Sequence, residues 1–162
     1  MICIRRKKCE KILNRLIQEY HSRHRKEANN RIGKVSADHI SKGLPNSTVA
    51  VNGKLAVEYD YIDKLVDFLF QSLEKDFSKF PINACKETLI SIVEVEYKKL
   101  RPTVNTWLIQ ACMAQQGIIK QYEDGISKRL EETKKNIENR CELSTEKRTQ
   151  RKWWKDPKWI IT

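Results

Sequence analysis

The sequence predicts an all-α fold: an elongated antiparallel bundle of three or four long helices, ending in a flexible basic-aromatic C-terminal tail. Three observations carry this expectation. The 162 residues include only 5 Gly and 4 Pro and are 33% charged, a composition of long helices rather than of a turn-rich β protein. Apolar residues recur at steps of three and four through most of the chain. The apolar fraction, 40%, is a little below the globular norm, which implies a narrow core. Residues 1–142 are assigned to the helical bundle domain. Residues 143–162 are assigned to a basic, Trp-rich tail of the kind that lies next to a membrane.

The first helix is read from Cys9, Ile12, Leu13, Leu16, Ile17 and Tyr20, which share one face. The stretch from His21 to Arg31 is almost wholly polar but rich in helix formers, so the helix continues through it. Ile32, Val35 and Ile40 resume the stripe. Gly43 then supplies a helix stop, with Pro45 behind it.

Residues 48–58 admit two readings. Asn52-Gly53 between alternating apolar runs is a strong short hairpin signal. Against it, Val51, Leu55, Tyr59, Ile62, Val66, Leu69, Leu73 and Phe77 form one helical stripe without a phase slip. A lone hairpin is also marginal without a third strand. The helix is the preferred reading, over about 47–79, with Asn46 or Ser47 as its N-cap. A second row, Val57, Tyr61, Leu65 and Phe68, makes it the central helix, packed on two sides.

Phe80-Pro81 breaks the chain. A third helix is expected from about Asn83, with Ile82, Cys85, Leu89, Ile92, Val93 and Leu100 inward. Pro102 interrupts it, either as a kink or as the junction of two helices. The stripe resumes through Val104, Leu108, Ala111, Gln115, Ile118, Tyr122, Ile126, Leu130 and Ile137. After Cys141 the pattern ends, and residues 142–152 are expected to be a mobile polar linker.

The cysteines, Cys3, Cys9, Cys85, Cys112 and Cys141, are odd in number and widely spaced, with no C-x-x-C. This predicts free thiols in a reducing compartment, with Cys85 and Cys112 as small core residues. No run approaches the ~20 apolar residues needed to span a bilayer, and no long apolar segment follows the basic N-terminus as in a secretory signal.

Charge is the feature with most bearing on function. The formal net charge is +11, distributed as +8 over residues 1–42, −1 over 43–142 and +4 over 143–162. A nearly neutral body with basic ends suits a phosphate-bearing partner. Arg5, Arg6, Lys7, Lys8, Lys11 and Arg15 form one cluster. Arg23, Arg25, Lys26, Arg31 and Lys34 form a second. Three of the four tryptophans, Trp153, Trp154 and Trp159, stand at the C-terminal end among Arg151, Lys152, Lys155 and Lys158, followed by Ile160-Ile161. Trp with Lys/Arg is the mixture of membrane interfaces. Folding of the tryptophans back onto the helices and stacking on single-stranded bases are the competing readings.

No catalytic, cofactor or metal motif is present, so no catalytic, cofactor-binding or metal residues are assigned. His21 and His24 lie three apart, but nothing nearby completes a metal set, and they read as solvated. Leu44-Pro45-Asn46-Ser47-Thr48-Val49 is similar to the turn of some helix-turn-helix repressors. Lys42 and Asn52, however, occupy positions that motif needs apolar. The expected function is a non-enzymatic interaction or scaffold module that associates with an anionic surface, a membrane interface first. Arg5, Arg6, Lys7, Lys8, Arg151, Lys152, Lys155 and Lys158 supply attraction, and Trp153, Trp154 and Trp159 supply insertion. Nucleic-acid binding through the same cations is the alternative. A protein partner and self-association are also expected, in the cytoplasm, including the inner face of a membrane.

Overall fold

The computed structural model describes residues 2–44, 47–76 and 82–153, and for 2–6, 76 and 147–153 the backbone path alone. The described residues form α1 (Ile2–Ser41), α2 (Thr48–Asp76), a single 3-10 turn (Ile82–Cys85), α3 (Lys86–Gln110) and α4 (Gln116–Trp153). The fold is an all-α helical bundle, as the sequence predicts.

Contacts set the helix directions. Tyr20 meets Tyr61 while Val35 lies against Gly53, so α1 and α2 are antiparallel. Lys54 lies over Trp107 and Tyr59 beside Tyr97, which makes α2 and α3 antiparallel. Tyr97 meets Thr133, and Arg101 meets Ser127, so α3 and α4 are antiparallel too. Consequently α2 and α4 run parallel, bridged by Tyr122–Asn52, Arg129–Asp63 and Arg140–Asp67.

α2 is the central helix. Val51, Leu55, Ile62, Val66, Leu69 and Leu73 from one row, and Val57, Tyr61 and Leu65 from the other, are all buried. Phe77 lies outside the described residues. The helix runs through Asn52-Gly53, so the preferred reading holds over the hairpin. Ser47 is the N-cap: its hydroxyl accepts the Ala50 amide at 3.2 Å.

α1 ends where Gly43 predicts. Gly43 has φ +71°, its amide bonds Ile40 O at 3.0 Å, and the Leu44 amide bonds His39 O at 2.8 Å. This is a Schellman close, with glycine in the left-handed position. The helices flanking this turn have 40 and 29 residues, which is not the compact pair of a DNA-reading motif.

Three expectations are corrected, and the choice left open at Pro102 is decided first: the helix is continuous through it. The proline ring is exposed and faces the same solvent side as Lys98, whose carbonyl loses the bond, and α3 continues to Gln110. The break comes at 111–115 instead. Cys112 takes φ +55°, its amide bonds Ile109 O, and the Met113 amide bonds Leu108 O, repeating the close at Gly43. Cys112 is therefore an exposed turn residue, not a core one. Cys9 and Cys85 are not free thiols: they form a disulfide with Cα atoms 5.8 Å apart. Finally, Cys141 is the last core residue among the described side chains, but the polar linker does not form there, because α4 continues helical to Trp153.

Candidate functional site

Ion pairing sorts the two N-terminal charge clusters. In the second, packing uses most of the cations. Arg25 clamps Glu58 with two bonds of 2.8 and 2.9 Å, Arg31 pairs with Asp60, and Arg23 pairs with Glu19 on its own helix. In the first, Lys7, Lys8, Lys11 and Arg15 are exposed and make no ion pair among the described residues. At 100° per residue these four fall within one arc, opposite the buried Cys9, Leu13, Leu16 and Tyr20. Lys26 extends the same stripe, which is then about 28 Å long at the usual helical rise.

The bundle brings the first turns of α1 and the last turns of α4 to the same end. The 3-10 turn between α2 and α3 packs against α1 on one side and α4 on the other. Cys9 of α1 is bonded to Cys85 in that turn, and Cys141 of α4 lies within reach of the Lys86 charge beside it. The first turns of α1 and the last turns of α4 therefore leave the bundle at one end. Beyond Cys141, α4 runs on to Trp153, roughly 18 Å further. Arg5, Arg6, Arg151, Lys152 and Trp153 lie on these helical ends, and their side chains are outside the described set. Trp154, Lys155, Lys158 and Trp159 lie outside the described residues altogether. The opposite end exposes Ile40, Leu44, Val49 and Ile109.

A second constellation, which no local pattern foretells, lies where α1, α2 and α3 meet. A cleft of about 230 Å³ has Ile62 and Leu100 for its floor and His21, Arg25, Glu58, Glu96 and Lys99 around it. His21 Nδ1 shares a 2.5 Å hydrogen bond with the Tyr61 hydroxyl, and its Nε2 faces Glu96 at 3.5 Å. A proton on Nε2 suits the carboxylate and leaves Nδ1 to accept from the phenol. Lys99 donates to the same Glu96 oxygen at 2.7 Å. Tyr20 donates to the Tyr61 carbonyl at 3.1 Å, and its ring lies tilted against His24 with centroids 4.6 Å apart. His21 and His24 are thus both half-buried and partnered, not solvated. Among the described residues no three His, Cys, Asp or Glu side chains are gathered as metal ligands.

The electrostatics of this cleft are those of packing. Glu58, only 4% exposed, is neutralised by Arg25, whose guanidinium also lies 5.0 Å from the Tyr61 ring centroid. Burial pushes the Tyr61 hydroxyl up to about 12, outweighing the nearby Arg25 charge. The phenol is thereby held protonated, the reverse of what an activated nucleophile requires.

Among the described residues no helix is long and apolar enough to cross a membrane. No family model matches the chain, and neither a curated protein nor a solved structure is significantly similar to it.

Proposed function

We propose that this chain is a non-enzymatic helical interaction module that associates with an anionic surface, a membrane interface, through its basic termini and Trp-rich tail. One observation supports the reading above others. The first turns of α1 and the last turns of α4 share an end of the bundle, and the cations of α1 there, Lys7, Lys8, Lys11 and Arg15, make no ion pair among the described residues. Cations left exposed on one stripe add their attractions to a surface of opposite sign. Each contributes about 1 kcal/mol near an anionic leaflet. The three tail tryptophans supply the apolar part that salt does not screen.

Vesicle co-sedimentation tests this, with phosphatidylserine-containing against zwitterionic vesicles and single-stranded DNA as competitor. Binding to anionic vesicles is expected, with a residue that survives moderate salt. Tryptophan emission is expected to be exposed in buffer and to shift blue on adding those vesicles. Blue-shifted, quencher-protected emission in plain buffer places the tryptophans on the bundle instead. No vesicle shift, with strong quenching by DNA and steep salt dependence, replaces the membrane with nucleic acid.

A further inference from the structure

We propose that the Cys9–Cys85 disulfide is a redox-dependent clamp on the first turns of α1, the turns that carry Lys7, Lys8 and Lys11. Cys9 is the first residue of α1, among those with described side chains, to enter the core; Lys7 and Lys8 before it are exposed. The next anchors, Leu13 and Leu16, lie one and two turns further in. Helix ends with few buried contacts open most readily. The crosslink ties this weakly anchored end to a 3-10 turn 76 residues away in sequence.

Reduction breaks the Sγ–Sγ bond. A dithiol reductant supplies two electrons and two protons, leaves as its own cyclic disulfide, and Cys9 and Cys85 become thiols. Among the described side chains, what then packs this end onto the core is the small Cys9, with half-buried Ile12 a turn further in. Both sulfurs are fully buried, so the reductant reaches them only when the first turns open. Oxidation therefore locks the closed state, and reduction keeps what opening began. Cys141 shares the core, but burial pushes its thiol up to about 11, so near neutrality it stays protonated and does not attack the bond.

The consequence for binding rests on the anionic-surface reading; the clamp itself does not. With the bond intact, Lys7, Lys8, Lys11 and Arg15 form one fixed stripe, and binding pays less ordering entropy.

Amide hydrogen exchange of the full chain tests the clamp, oxidised and after dithiothreitol, with thiols counted by alkylation and mass. Complete reduction is expected to accelerate exchange in residues 4–12 by roughly tenfold or more, while residues 61–73 of α2 stay as they were. Cys9→Ala is expected to show the fast pattern with or without reductant. Complete reduction without acceleration overturns the proposal. So does a crosslink absent from air-oxidised protein, or one that resists reductant while the protein is folded. On phosphatidylserine vesicles, reduction is expected to weaken binding several-fold. An exchange response in a chain that binds vesicles in neither state upholds the clamp and rejects the anionic-surface reading.

Discussion

A Cβ placed on Gly53 would stand 2.9 Å from Cγ1 of Val35. The glycine that looks like a hairpin turn is instead a point of close approach between α1 and α2. Val35 is β-branched and has little freedom to turn aside. Gly33, in the interior of α1, has nothing within 4 Å of its missing Cβ. The same change therefore has opposite signs at the two sites. Gly33→Ala is expected to stabilise by about 0.5–1 kcal/mol through helix propensity. Gly53→Ala is expected to destabilise, by about 1–3 kcal/mol of overpacking. Urea midpoints measure both, and a stabilising Gly53→Ala would show that the helices stand further apart.

Arg25 and Glu58 act as a unit. Arg25→Ala strands a carboxylate that is 4% exposed, and about 2–4 kcal/mol of stability should be lost. Adding Glu58→Gln removes the stranded charge and should recover at least ~1 kcal/mol, the sign of direct coupling. Additive losses in denaturant melts would mean that Glu58 reaches water.

The tyrosines predict the alkaline limit. All five, Tyr20, Tyr59, Tyr61, Tyr97 and Tyr122, are raised above the ordinary phenol value, each chiefly by burial. Tyr59 and Tyr61 reach about 12. A phenol raised in the folded state stabilises fully below its unfolded value near 10, and that contribution is lost as pH climbs to the folded value. Helix loss is therefore expected between pH ~10 and ~12. Absorbance at 295 nm should show little phenolate at pH ~10, then a rise that coincides with the fall in circular dichroism. Half-ionisation at pH ~10 with helix intact would contradict the burial.

The α1 stripe predicts a positional charge effect. Neutralising Lys7, Lys8 and Lys11 to Gln should weaken binding to anionic vesicles by at most ~3 kcal/mol, about a hundredfold. Neutralising Lys120, Lys128 and Lys135, exposed on α4 and unpaired among the described residues, removes the same charge from the body. It should change binding far less. Equal losses from the two triplets would mean that net charge alone governs binding.

Why some of this was legible in the sequence and some was not is clearest at two helix ends. α1 and α3 close with the same hydrogen bonds, one on Gly43 and one on Cys112. Glycine in the left-handed position announces itself in a sequence; a cysteine there does not, and Pro102 offers a more conspicuous but wrong place for the break. Proline is tolerated because it faces solvent, which periodicity alone reveals only once neighbouring helices are placed. The two rows of α2 were legible because burial repeats with the helical period. Cys9 and Cys85 pair across 76 residues, a distance at which spacing carries no information. The cleft is invisible for a related reason: His21, Tyr61 and Glu96 come from three helices and form no local pattern. At the basic surface the sequence located the cations, and the fold separated those used in packing from those left over.

The shared exit of α1 and α4 has a mechanical consequence. A load entering through the first turns of α1 and leaving through the last turns of α4 pulls at one end, so the helices peel apart sequentially rather than shear along their lengths. With Cys9 bonded to Cys85, tension crosses directly between them and the 76-residue loop never bears force. The extension thereby withheld is up to ~260 Å of chain at about 3.4 Å per residue. In both states α3 and α4 still bear the load and can unravel, and the oxidised molecule would extend less than the reduced one by that loop length, a difference read from a single-molecule force–extension trace.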